Sequence, residues 1–252
     1  MTRRYHAAQL PCAGGYVSLD EAERHHALNV MRVRAGERIV LFDGQGNEAA
    51  AVVHTVSKRE VVCESEAASQ ANRENKVRLT LGVAMPKGDR AKELVERLTE
   101  LGVNRLVPLH CQRSQWTVPE NVILKWQRVM IDACKQCGRN QFMEITPPQS
   151  LVAWLSSDAA TSPQTRYLVH PESSIAQTPT PLGNQERPSA SAEEIAQPLA
   201  VPAQATIGPE GGFNDAEVEL ADLQGWKRLM LGSRVYRIET AAVLVAIKLA
   251  QL

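Results

Sequence analysis

Two patterns of apolar and polar positions divide the chain. Up to about residue 70 the apolar positions come in short runs broken by turn residues. Residues 38–42 run into Asp43-Gly44-Gln45-Gly46-Asn47, then 48–56 and 60–64 resume a strand pattern. Asp-Gly between two apolar runs is a strong hairpin signal, because glycine accepts the positive φ that a tight turn between twisted strands demands. Residues 19–31 carry Ala22, His26, Leu28 and Met31 at helical spacing. The pattern predicts a small β-barrel with one helix over residues 1–70.

Residues 67–75 are polar and read as a linker, after which the grammar changes. Val77, Leu79, Leu81, Val83 and Met85 alternate as a strand does. Leu94, Val95, Leu98 and Leu101 then share a helical face, with Asp89 as its cap and Gly102 at its close. Further strands are predicted at 106–109, 167–169, 205–207 and 229–231, and helices at 121–137, from Asn214 to near Gly225, and at 239–252. Strand and helix in alternation predict a parallel α/β sheet over residues 75–252. Between about 173 and 202, Pro, Gln, Ser and Ala dominate, which predicts a mobile, disordered-like surface insertion.

Composition narrows the classes. With 44% apolar and 22% charged residues in 252, the chain is an ordinary globular one, neither coiled coil nor wholly disordered. Its most apolar stretch, 241–252, contains Lys248 and is too short to span a bilayer. The basic start at residues 1–6 has no apolar stretch behind it, so no signal peptide is read there and a cytoplasmic, membrane-free protein is expected. The five cysteines are odd in number and scattered, unlike a disulfide framework. Cys134 and Cys137 form a single CxxC without a second pair for zinc. It lies late in a predicted helix, where the dipole does not favour thiolate, so these read as buried thiols and no metal is expected. Net charge is zero, yet residues 76–139 are rich in Lys and Arg while 158–222 are acidic. A polyanion could bind the first region, although two solvated faces explain the same asymmetry.

Two segments carry candidate chemistry, and each follows a short apolar strand. Ile207-Gly208-Pro209-Glu210-Gly211-Gly212-Phe213 is a rigid turn of bare backbone that a flat ligand can approach closely. In open α/β sheets ligands lie at the carboxyl ends of strands, where this loop emerges. It lacks the Lys-Ser/Thr ending of a phosphate loop, and no helix follows Gly44-Gln45-Gly46, so nucleoside triphosphate hydrolysis is disfavoured. The second segment, from Leu231 through Gly232, Arg237 and Glu239 to Ala241, turns a strand into an apolar helix and aims Arg237 at the first loop. Glu239 in a first helical turn is electrostatically favourable in any case.

At these two segments the chain resembles the bacterial 16S rRNA (uracil-N3)-methyltransferases of the SPOUT superfamily. Further matches in order are Arg3-Arg4-Tyr5, the His26 to Arg32 segment, Lys87-Gly88-Asp89-Arg90, Thr99-Glu100-Leu101-Gly102-Val103, Arg113-Ser114, and Ala133 to Arg139. Departures are the Pro-rich insertion, Met31, Tyr236 and Ile238. The resemblance implies a trefoil-knotted parallel sheet domain over 75–252, a PUA-like RNA-binding barrel over 1–70, and a homodimer without metal. It implies that S-adenosylmethionine is held by three loops. These comprise Leu168, Val169 and His170; Ile207, Gly208, Gly211 and Gly212; and Leu229, Leu231, Gly232, Tyr236, Arg237 and Thr240. Its substrate would be N3 of a uridine in 16S rRNA of the small ribosomal subunit, gripped by Arg3, Arg4, Arg32, Arg34, Lys87, Arg90, Arg113 and Arg139. Uracil N3 is a protonated imide on the Watson–Crick edge. The base must therefore be unpaired, its proton accepted, and its anion stabilised. Arg139 and Arg237 are the candidates to face the oxyanion, and Glu210 and Glu239 to accept the proton. A non-catalytic RNA-binding or ribosome-assembly factor of the same fold is the alternative.

Overall fold

The computed structural model describes residues 2–157, 165–170, 189–190 and 201–250. The Pro-rich stretch at about 173–202 therefore lies, apart from residues 189, 190, 201 and 202, outside the described residues. The chain forms two compact units: Met1–Glu74 with Met130–Phe142, and Asn75–Val129 with Met143–Leu252.

The first unit is built on a six-stranded sheet in the order β1-β3-β4-β5-β2, with β6 on β4. The strands are β1 (Arg3–His6), β2 (Gly15–Ser18), β3 (Arg38–Phe42), β4 (Asn47–Val56), β5 (Val61–Ser65) and β6 (Ser69–Gln70). Strand β4 alternates buried and exposed positions from Ala49 to His54, and its inward residues join Tyr5, Leu41, Val61 and Cys63 in one core. The β3–β4 hairpin forms where Asp-Gly predicts it. Asp43 accepts from the Gln45 and Asn47 backbone N–H groups at 2.7 and 3.0 Å, with Gly44 at φ 74 and Gly46 at φ 102.

Two strands were not predicted, and two expectations need correction here. Strands β1 and β2 carry too few alternating positions to be seen. The polar segment 67–75 contains β6, because edge pairing needs no apolar side chains. The helix over 19–31 is α1 (Glu21–His25), capped by Asp20, followed by a π-helical turn, His26–Val30, in which Met31 N–H donates to the His26 carbonyl at 3.0 Å. Arg32 then takes φ 49, and Val33 returns to the core, donating to the Ala27 carbonyl.

Charge pairs bind the first unit together. Glu48 accepts from Arg73 at 2.7 and 2.8 Å, from Arg4 at 3.0 Å and from Asn140 at 3.1 Å. The Arg73 hydrogen bonds lead in holding its carboxyl down at about 2, against an ordinary 4.5. A carboxylate depressed in the folded state stabilises it above the unfolded value, and that contribution is lost as pH falls from 4.5 through about 2. Thermal melts of this unit are expected to drop over that window, while Glu48→Gln flattens the drop and is less stable at pH 7. Parallel pH profiles for the two proteins would refute the role given to Glu48.

The second unit is an eight-stranded parallel sheet. Its strands are β7 (Leu79–Val83), β8 (Arg105–His110), β9 (Glu144–Ile145), β10 (Gln149–Ser150), β11 (Thr165–Val169), β12 (Ser189–Ala190), β13 (Ala203–Ile207) and β14 (Lys227–Leu229). Their order is β10-β8-β7-β13-β11-β14-β12, with β9 on β8. The helices are α2 (Asp89–Glu100), α3 (Glu120–Cys137), α4 (Leu151–Leu155), α5 (Asp215–Leu223) and α6 (Ile238–Ala250), and the last residues of α3 pack with the first unit. Asp89 does not cap α2. Gly88 is the N-cap at φ 72, and Asp89 is the first helical residue, paired with Lys92. Asn214 and Glu217 form the reciprocal capping box that the sequence suggests at the start of α5. Strand β14 ends two residues before the apolar run does, which releases Met230 and Leu231 into a loop. The core beneath this sheet face centres on Trp154 and Trp226, whose rings lie 5.7 Å apart. In the CxxC, Cys134 is buried and its thiol is pushed up to about 12 by that burial, whereas Cys137 is exposed.

Candidate cofactor cleft

Parallel pairing aligns the carboxyl ends of β11, β13 and β14, since Val169 stands beside both Ile207 and Leu229. The three loops that leave these ends surround a cleft of about 230 Å³. The first supplies Val169 and His170. The His170 backbone donates to the Leu229 carbonyl at 3.1 Å, tying this loop to β14. Its ring is 8% exposed, and Nδ1 is buried without a hydrogen-bond partner among the described residues. Burial first, and then the nearby Arg228 guanidinium, push the imidazole below its ordinary 6.5, so a neutral ring faces the cleft.

The second loop is a closed turn. Gly212 N–H donates to the Pro209 carbonyl at 2.8 Å, with Gly212 at φ 69. The Phe213 ring folds back so closely that a Cβ on Gly208 would stand 3.0 Å from it. Arg113 braces this turn from outside, donating to the carbonyls of Gly211 at 3.0 Å and Phe213 at 3.3 Å. A Cβ on Gly212 would meet nothing within 4 Å, so its open face is bare backbone. The third loop presents Leu231, Gly232, Arg234 and Tyr236, and α6 closes the wall with Ile238 and Ala241.

At the rim stands an ion-pair cluster. Arg90 donates to both Glu239 oxygens, from Nε at 2.9 Å and Nη2 at 2.7 Å, and from Nη1 to Glu210 at 3.2 Å. These bonds hold the Glu239 carboxyl below the usual range against the opposing effect of its burial.

The expected site residues divide accordingly. Val169, His170, Ile207, Gly208, Gly211, Gly212, Leu231, Gly232 and Tyr236 line the cleft, as does Glu210. Leu168 and Leu229 are fully buried strand residues beneath it, while Arg237 and Thr240 are exposed and outside its lining. Arg139 belongs to the first unit, where it makes a two-pronged pair with Glu74 at 2.8 and 2.7 Å. Among the basic residues expected on RNA, Arg3 pairs with Glu37, Arg4 with Glu48 and Asn140, and Arg90 and Arg113 support the cleft. The Arg32, Arg34 and Lys87 side chains are exposed and make no hydrogen bond or ion pair among the described residues. Arg234 and Ile238, within the third expected loop, also line the cleft, as do Phe213 and Ala241, which end the two candidate segments and were not assigned to the cofactor. Among the described residues no three His, Cys, Asp or Glu side chains are placed to hold a metal ion. No described helix is long and apolar enough to cross a membrane.

The chain matches a family model described as an RNA methyltransferase domain over residues 73–251, and one described as an RNA methyltransferase PUA domain over residues 19–64. It is 28% identical over 228 residues to ribosomal RNA small subunit methyltransferase E of Bacillus subtilis, covering 89% of this chain and 85% of that protein. Among solved structures, a Legionella pneumophila methyltransferase in complex with the bound cofactor SAM superposes with a TM-score of 0.86 at 28% identity, over 100% of this chain and 98% of that one. Ribosomal RNA small subunit methyltransferase E of Neisseria gonorrhoeae, bound to S-adenosyl methionine, gives 0.81 at 26% identity over 98% and 97%. The small subunit methyltransferase E proteins are thus what the chain is similar to, and with the matched domain spanning well over half its length, this chain belongs to the RNA methyltransferase family.

Proposed function

We propose that this protein transfers the methyl group of S-adenosylmethionine to N3 of a uridine in 16S rRNA of the small ribosomal subunit, in the cytoplasm. The observation that carries the reading is the cleft itself, with bare backbone at Gly212, a neutral His170 wall, and apolar Ile207 and Leu231. That set suits a flat heteroaromatic base joined to a cationic sulfonium, since backbone amides read the base and the buried Arg228 guanidinium near His170 is neutralised by Asp222. The cofactor supplies an activated methyl group. The chain's own residues exclude water with Phe213 and Ile238 and fix the loop geometry.

For the uracil, Glu210 is the better proton acceptor of the two carboxylates. It lines the cleft and is tied by a single contact, whereas Glu239 is held by two. Arg237 is exposed on the third loop, its charge acts on Glu239, and its side chain makes no hydrogen bond or ion pair among the described residues, which leaves its guanidinium able to face the developing oxyanion. Arg32, Arg34 and Lys87 are the side chains left to neutralise phosphates. The outward face of α6, with Thr240, Val243, Leu244 and Ile247, supports the homodimer reading, and sedimentation at micromolar concentration should give a dimer.

The deciding experiment is mass spectrometry of 16S rRNA nucleosides with and without the gene. 3-Methyluridine should vanish on deletion and return on complementation. Tight rRNA binding with unchanged 3-methyluridine would instead select a non-catalytic assembly factor.

A further inference from the structure

Arg90 lies in a basic stretch and would ordinarily be assigned to phosphate contacts. Its geometry says otherwise. All three donating nitrogens of its guanidinium point at carboxylates of the second unit, two at Glu239 and one at Glu210. Glu210 sits in the loop after β13, and Glu239 opens α6 directly after the loop from β14. One side chain, anchored on α2, therefore ties together the second and third loops of the cleft. We propose that Arg90 is a positioning residue that sets the spacing of these loops through Glu210 and Glu239, and that Glu239 serves this clamp and not proton transfer. This rests on the methyl-transfer reading of the same cleft.

Three physical points support it. The Glu239 side chain is only 12% exposed, and a carboxylate so enclosed is costly unless paired in good geometry. The guanidinium fork meets both of its oxygens at once, which an ammonium cannot do, so Lys is a poor replacement. Neither loop has another link to α2 through a charged side chain among the described residues, so losing Arg90 frees both together.

Arg90→Ala, Arg90→Lys and Glu239→Gln separate the possibilities, each compared with wild type for thermal stability, amide hydrogen exchange and calorimetric binding of S-adenosylmethionine. The clamp predicts that exchange rises at Gly211 and Gly212 and, in the same variant, across residues 231–237, with little change in the sheet. This readout needs no cofactor. It also predicts that cofactor affinity falls by about tenfold or more in Arg90→Ala, that Lys recovers little of it, and that Arg90→Ala with Glu239→Gln is no worse than either alone. The slope of rRNA binding against salt should not change. If Arg90→Ala fails to fold, Glu239→Gln alone carries the test, since it keeps the shape and halves the pairing. Exchange unchanged in both loops overturns the clamp, as does a Glu239→Gln variant with wild-type cofactor affinity and a collapsed turnover rate, which would make Glu239 the base. Variants that show the exchange coupling beside a wild-type protein that binds no S-adenosylmethionine would instead sink the methyl-transfer reading and leave the clamp standing.

Discussion

Replacing Trp154 with Ala is expected to destabilise the catalytic unit by about 3–5 kcal/mol, a large share of what a domain of this size has to lose. Trp154 is 3% exposed and packs against Trp226 with the ring centroids 5.7 Å apart and the planes tilted by 52°. Its indole Nε1 donates to Thr206 Oγ1 at 2.7 Å, and Thr206 is itself fully buried. Truncation therefore opens a cavity and leaves a buried hydroxyl without its partner, two penalties that add. The surrounding core cannot collapse to fill the space, because Gly82 already lies so close that a Cβ there would stand 2.8 Å from the indole. Thr206 directly precedes Ile207 and the glycine loop, so the variant should also bind cofactor less tightly. Trp154→Phe keeps most of the volume and loses only the hydrogen bond, and should cost about 1–3 kcal/mol. Urea unfolding followed by circular dichroism decides the matter. A midpoint for Trp154→Ala equal to that of Trp154→Phe would show that packing at this site counts for little.

Gly212→Val should lower S-adenosylmethionine affinity by about a hundredfold or more, because two independent obstacles act on one residue. The backbone there has φ 69, which a β-branched side chain adopts only with strain, so the turn closed by the Gly212 to Pro209 hydrogen bond would shift. Its Cβ direction is open, and the residue lines the cleft, so the new methyl groups project into space that a ligand would occupy. Gly211→Ala is gentler: its Cβ meets the Arg113 Cβ at 3.3 Å on the braced side of the loop, a contact relieved by a shift of a few tenths of an ångström, and it has no positive φ to strain. Gly225→Ala controls for backbone strain alone. It has φ 75 with no atom closer than 3.9 Å and stands outside the cleft lining, so it should cost stability and spare affinity. Calorimetric titration of the three folded variants tests the ordering. Wild-type affinity in Gly212→Val would place the cofactor elsewhere.

The structure also changes how RNA gripping should be tested. Removing residues 1–70 would strip Glu23 from Lys135, a side chain only 10% exposed, and Glu48 from Asn140, both within the first unit. Such a truncation would confound lost RNA contacts with unfolding. Charge reversal at Arg32, Arg34 and Lys87 is the cleaner design, and it should weaken rRNA binding and flatten its salt dependence without touching cofactor affinity.

The sequence by itself determined whatever depends on local periodicity and local backbone need. The hairpin at Asp43-Gly44, the strict alternation that became β7, the capping box at Asn214 and the parallel α/β class all follow from side chains interacting within a few residues of one another. The second and third cleft loops were legible for the same reason, since glycine is placed where a positive φ or a close approach requires it. Only the tertiary structure decided what the charged residues do. A run of Lys and Arg along the chain says nothing about which carboxylate each will meet, and Arg90 meets partners 120 and 149 residues away. Arg139 likewise finds Glu74 at a separation of 65, and Arg113 finds backbone carbonyls about a hundred residues on. The short strands β9, β10 and β12 were invisible because long-range hydrogen bonds form them, not side-chain pattern, and the π-helical turn at 26–30 because its Met31-to-His26 bond leaves the same apolar spacing as an α-helix. Pattern acts over one or two turns of chain, whereas ion pairs are chosen by the fold that brings their partners together.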